Sequence, residues 1–230
     1  MSPEATYPPF PSRAMRWLRA LVLLSSVGVL AACDAGDPMA EDLPDMGDFR
    51  LAHNIVVAEG MQQVPPSRSA EPEEWVEVMT AEIDRRFGGY EGDRLYHFGI
   101  SVDGYSLAPP GIPVVLSTRS VLVLSVNVWD DALGQKLHEE PEQIVVFEGT
   151  SPETILGSGY ARTREEQMQL LARNAARRIQ LWMLQNPEWF NIDPDAAEAA
   201  AAEVEDLVDD VEVGDVEAAA AAAIAEEPEV

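Results

Sequence analysis

Three histidines, one cysteine and the adjacent aspartates Asp130 and Asp131 are the side chains of this 230-residue sequence best suited to catalysis or metal ligation. His53, His97 and His138 could move protons or bind zinc. Local spacing supports neither use, since no i,i+4 pair, HExxH pattern or neighbouring thiolate accompanies any of them. His53 falls in an alternating run and reads as a core-edge residue with one satisfied hydrogen bond. His138-Glu139-Glu140, the one local cluster of histidine and acid, lies beside Pro141 and reads as a loop. His97, Ser101 and Asp103 alternate along one run and read as its wet face rather than as a hydrolytic set. Asp130-Asp131 lacks the D-x-[DN]-x-[DN]-G spacing of a cation loop and reads as a turn former. Gly157-Ser158-Gly159-Tyr160 is too short for a phosphate loop and has no lysine, and no serine sits in a G-x-S-x-G elbow. The expectation is therefore no catalytic residue, no metal and no cofactor.

The thiol has a different context. Arg13, Arg16 and Arg19 precede an uncharged apolar run, Leu21 to Ala32, that ends at Cys33, the chain's only cysteine. A basic region followed by about 12 apolar residues is the pattern of an export signal, too short for the roughly 20 residues of a spanning helix. Leu30-Ala31-Ala32-Cys33 resembles the lipobox of bacterial lipoprotein signal peptides. That resemblance implies cleavage after Ala32, diacylation of the Cys33 sulfur and a membrane anchor, because a thiol is the nucleophile a thioether-linked lipid requires. Cleavage near Ala32 or Ala35 with Cys33 a bystander is the alternative. Asp34 resembles the retention signal that keeps some lipoproteins in the inner membrane. Met15 is an alternative start to Met1, since Met15-Arg16-Trp17-Leu18-Arg19 forms a sufficient basic region.

Composition narrows the partners. The formal net charge is −26, from 41 Asp plus Glu against 15 Lys plus Arg. Such a chain lacks the basic surface that nucleic acid requires, and charge alone would not hold it on an anionic membrane. The charge is unevenly spread: residues 1–33 carry 1 acid and 3 bases, residues 34–190 carry 26 and 12, and residues 191–230 carry 14 and none. With one cysteine no disulfide framework is possible.

The elements are read from periodicity. Residues 1–32 form the signal peptide, and 33–47 a lipidated cysteine and tether. Phe49, Leu51, Ile55 and Val57, with His53, alternate as one face of a strand ended by Pro65-Pro66. Pro72 opens a helix with the stripe Val76, Met79, Ile83 and Phe87, stopped by Gly88-Gly89. Tyr96 to Val102 and Leu122 to Val128 alternate as strands, and a hairpin through Gly134 leads to a third near Gln143 to Glu148. Thr163-Arg164-Glu165-Glu166 is a capping box ahead of a helix with Met168, Leu171, Ala175, Ile179 and Met183 on one face, ended by Pro187. Strand, helix, three-strand meander, helix predicts an α+β domain over residues 48–190, with two helices on one face of a mostly antiparallel sheet. Residues 191–230 hold 13 Ala and 14 acids and read as a disordered acidic tail.

The order of elements loosely resembles the small α/β envelope lipoproteins of lipopolysaccharide assembly and of lipid-exporting ABC transporters. That resemblance carries no motif onto residues here. It implies a non-catalytic accessory or adaptor of an envelope complex facing the periplasm, with an envelope protein partner and no nucleic acid. A carrier of lipid or another apolar ligand is the alternative, and an envelope hydrolase is third. Trp182, Trp189 and Phe190, beside Trp129, either cap the core or form a patch for a partner or lipid. Arg173, Arg177 and Arg178 read as a solvated helix face, or as a contact to the acidic tail or a partner.

Overall fold

The computed structural model describes residues 43–109, 120–148, 162–205 and 207–208. Their core is a six-stranded mixed sheet: β1 Phe49–Val57, β2 Gln62–Gln63, β3 Arg94–Ser106, β4 Val121–Asp130, β5 Gln135–Lys136 and β6 Glu142–Phe147. β3 is central, parallel to β1 and β2 on one side and antiparallel to β4 on the other. β5 and β6 both run antiparallel to the far edge of β4. Helix α1, Pro72–Phe87, connects β1 and β2 to β3, a return that parallel strands require. Helix α2, Arg164–Leu184, packs on α1, β4 and β6, and helix α3, Pro194–Glu205, packs on α2.

The expected α+β architecture is present, and the pleat explains most of it. Tyr96, Phe98, Ile100 and Val102 of β3 and Leu122, Leu124, Val126 and Val128 of β4 are all buried under the helices. They meet Met79, Ile83 and Phe87 of α1 and Met168, Leu171, Ala175, Ile179 and Met183 of α2. The capping box forms as read: Thr163 Oγ1 accepts from the Glu166 amide at 3.2 Å, and Glu166 accepts from the Thr163 amide at 2.7 Å. Trp75 of α1, fully buried against Tyr105, completes that end of the core.

β1 departs from simple alternation. Its pairing with β3 slips between Leu51 and His53, a bulge at Ala52. One extra residue reverses which side chains face the core. Phe49 and Leu51 point inward before the bulge, and Asn54 and Val56 after it. His53, Ile55 and Val57, expected on the apolar face with Phe49, stand exposed on the opposite one.

Both expected domain boundaries move outward. The last residues assigned to the tether are folded: Met46 is buried, and Pro44 O accepts from Tyr90 Oη at 2.8 Å. Gly47 takes φ +57°, and a Cβ there would stand 2.4 Å from the Phe190 carbonyl oxygen, so glycine is required. At the other boundary, α3 continues the domain past Phe190. Asp193 caps it, accepting from the Asp195 and Ala196 amides at 3.1 and 3.3 Å. Ala197, Ala200 and Val204 recur at spacings of three and four and are buried, so small residues supply the stripe that composition alone seemed to lack. Arg177 of α2 donates to the Leu207 carbonyl at 2.8 Å, just past the end of α3, which realises the contact to the acidic segment. The remainder of that segment, 209–230, lies outside the described residues.

A chain truncated after Asn191 should therefore melt at a lower temperature than the full chain. Val204→Ala should cost about 1–2 kcal/mol by urea denaturation; an unchanged midpoint for both would show that α3 adds nothing to the fold.

Candidate interaction surface

Helices cover one face of the sheet; of the five large apolar side chains exposed among the described residues, all but Leu43 are on the other face or in the turn at its end. Ile55, Val57, Trp129 and Leu133 are 59%, 44%, 43% and 57% exposed. Three strands place them together. His53 pairs with His97, which pairs with Trp129 across β3; Ile55 pairs with Gly99, and Val57 with Ser101. Leu133 sits in the β4–β5 turn, which Gly134 closes with φ +64°. Gly99 has no side chain to fill the space between its neighbours, and an added Cβ would meet only Asn127 Cβ, at 4.0 Å. A groove of about 540 Å³ results, lined by His53, Ile55, His97, Gly99, Trp129 and Asp131 among others. Its walls are mainly apolar, and they open to solvent. At the other end of this face Val121, Val123, Val145 and Phe147 form a small separate cluster, of which the last three are buried.

Some of the polar groups at the groove have partners in the fold, while His97 Nδ1 is buried without a hydrogen bond. His53 and His97 stack with centroids 5.0 Å apart, and His97 Nε2 lies 3.0 Å from Asp131 Oδ1. His53 is thus an exposed stacking partner, not the core-edge residue its place in the sequence suggested. Asp130 acts as the expected turn former: it is buried, ion-paired with Arg94, and accepts from the Leu133 amide at 3.0 Å. Asp103 accepts from Ser125 Oγ at 2.6 Å. His97 and Asp103 therefore each take a partner outside the His97, Ser101 and Asp103 row.

Of the residues expected to meet a partner, Phe190 is in the core. Fully buried, its ring packs edge-on to Phe49 and Tyr96 at 5.6 and 5.0 Å. The chain turns back after α2 through a short 3-10 turn, Pro187–Trp189, which aims Phe190 inward. Trp182 and Trp189 are half-buried and enclose His138, at 5.0 and 5.8 Å between centroids. His138 Nε2 accepts from the Val128 amide at 3.1 Å while Nδ1 donates to the Glu140 carbonyl, so backbone contacts fix the neutral tautomer. These aromatics cap the core and hold the link between β5 and β6. Cys33, with Leu30, Ala31 and Ala32, lies outside the described residues, as does Gly157-Ser158-Gly159-Tyr160.

Sequence reasoning missed the exposed quartet because it placed Ile55 and Val57 inside. A glycine in mid-strand, Gly99 between Ile55 and Asn127, was the available signal, legible only with the register known.

The segment Leu43 to Gly47 is held by a buried polar chain. Arg86 Nε donates to Gln180 Oε1 at 2.5 Å, Gln180 Nε2 to Tyr90 Oη at 2.6 Å, and Tyr90 Oη to the Pro44 carbonyl. Burial pushes the Tyr90 phenol up to about 12, with Arg86 and the Gln180 hydrogen bond acting in the opposite direction.

No family model matches the chain, and no curated protein matches it in sequence. Among solved structures it is similar to a Xanthomonas campestris protein of the family DUF330, at 12% identity and TM-score 0.37, covering 66% of this chain and 93% of that one. It is also similar to a candidate lipoprotein from Caulobacter crescentus, at 14% identity and TM-score 0.29, covering 58% and 92%. Likeness at this level assigns neither function nor residue roles.

The raised Tyr90 value has a consequence for stability. A phenol whose folded pKa lies above its unfolded value of 10.0 contributes stability that is complete below that value and lost as pH rises through about 12. The urea midpoint should fall across this window, and less steeply in Tyr90→Phe. Parallel alkaline profiles for the two proteins would show that Tyr90 is not held neutral.

Proposed function

We propose that the protein is a lipoprotein of the bacterial cell envelope, anchored by lipid on Cys33 and facing the periplasm, whose domain serves an envelope assembly or transport complex as a non-catalytic accessory. The carrying observation is the sole cysteine placed behind Leu30-Ala31-Ala32 and a basic, apolar leader. Two features of the folded part bear on it. No helix among the described residues is long and apolar enough to cross a membrane. The open groove has mainly apolar walls, which suits a surface that is covered. Two acyl chains, each contributing about 0.8 kcal/mol per buried CH₂, would make attachment effectively permanent. Asp34 favours the inner membrane.

Cys33→Ser should move the protein from the membrane fraction to the soluble periplasmic fraction. If the variant still pellets with membranes after a high-salt wash, the lipid is not the anchor.

A further inference from the structure

We infer that the uncovered sheet face carrying Ile55, Val57, Trp129 and Leu133 lies against the surface of the bilayer that holds the anchor. This inference rests on the anchoring proposed above and names what covers the open face. Three observations carry it.

The first is reach. Nine residues, 34–42, lie between Cys33 and Leu43, where the folded part begins, and the ten steps from Cys33 to Leu43 span at most about 35 Å. The domain can never leave the lipid surface by more than that.

The second is where the chain enters the fold. Leu43 to Gly47 is fixed to Tyr90 and Phe190, and the Asp48 carbonyl accepts from the Arg94 amide at 2.9 Å. Arg94 is paired with Asp130 at the base of the turn that carries Leu133. The tether therefore joins the domain at the same end of the sheet as the exposed apolar turn.

The third is charge. The row that β1 presents outward is Arg50, His53, Ile55 and Val57, and the neighbouring row of β3 is Leu95, His97, Gly99, Ser101 and Asp103. Of the carboxylates near this surface, Asp131 and Asp103 accept from His97 and Ser125. The helical layer exposes Glu73, Glu77 and Asp84 of α1 and Glu198 and Glu203 of α3, beside Arg85 of α1 and the part-exposed Arg173, Arg177 and Arg178 of α2. The exposed carboxylates of α1 and α3 gain nothing from a bilayer surface and are repelled by an anionic one, whereas the sheet side offers apolar side chains to it. Trp129 has the amphipathic ring that suits the headgroup level, and Arg50 can meet a lipid phosphate.

The test uses full-length mature protein in phosphatidylcholine vesicles containing a lipid with a nitroxide on its acyl chain. With Cys33 acylated, a single introduced cysteine is the only thiol open to an environment-sensitive fluorophore. Leu133→Cys places the label on the open face, and Glu77→Cys places it on the helical side. The nitroxide should quench the label at 133 and leave the label at 77 unaffected. Adding Ile55→Asp and Trp129→Ser should abolish quenching at 133 while the melting temperature holds, because both side chains are exposed. Equal quenching at the two positions, or none at either, in protein that floats with the vesicles would overturn the docking and leave the anchor intact. Emission at 133 that responds to protein concentration and not to nitroxide would assign the face to a second copy of the chain. Labelling of two thiols per chain, or failure to float, would overturn the anchor and the docking together.

Discussion

The ring of Phe49 is the contact on which the rest of the domain depends. Five aromatic rings surround it: Phe87 and Tyr90 from the end of α1, Tyr96 and Phe98 from β3, and Phe190 from the turn after α2, with centroids 5.4 to 5.8 Å away. These groups are far apart in sequence, and each ring pair adds roughly 0.5–1.5 kcal/mol beyond the area it buries. One residue thereby joins the entry of the chain, the first edge of the sheet, the end of α1 and the return of the chain after α2. The glycine requirement at 47 and the hydrogen bond from the Asp48 amide to the Phe190 carbonyl, 2.9 Å, follow from the same convergence.

Three residues beyond Phe49, the Ala52 bulge decides what the surface looks like. Without it, the alternation begun at Phe49 would carry Ile55 and Val57 into the core and bring Asn54 and Val56 out. With it, Asn54 turns toward α1 and donates to the Thr80 carbonyl at 3.1 Å, while two large aliphatic side chains are left in solvent. Exposed residues of this kind weaken solubility, so their clustering beside Trp129 and Leu133 on a chain of net charge −26 is informative. In the docking inferred above, the sheet side rests on lipid and the helical side faces away from the bilayer.

Much of this fold was legible in the sequence because its longest elements obey simple periods. The alternations in β3 and β4 and the 3.6-residue stripe of α2 predicted their buried residues correctly, and Thr163 marked the start of α2. Three things were not legible. A bulge leaves no mark in a hydrophobic pattern, so Ile55 and Val57 were placed on the wrong face. Alanines score weakly as a stripe, so α3 was taken for part of the tail although Ala197 and Ala200 let it approach α2 closely. Finally, Phe190 follows a helix terminus, where only the tertiary path decides whether a ring folds back or points away. Of the candidate site, the lipidation motif is wholly a matter of sequence, whereas the open groove exists only once β1, β3 and β4 are in register.

The central claim, that this domain works from a lipid anchor at Cys33, is tested most directly by mass spectrometry of the N-terminal peptide of mature protein isolated from its native membrane. The account requires a peptide that begins at Cys33 and carries diacylglycerol on its sulfur. A peptide that runs through Ala32 into an unmodified Cys33, or a mature chain that begins at another residue, would contradict it.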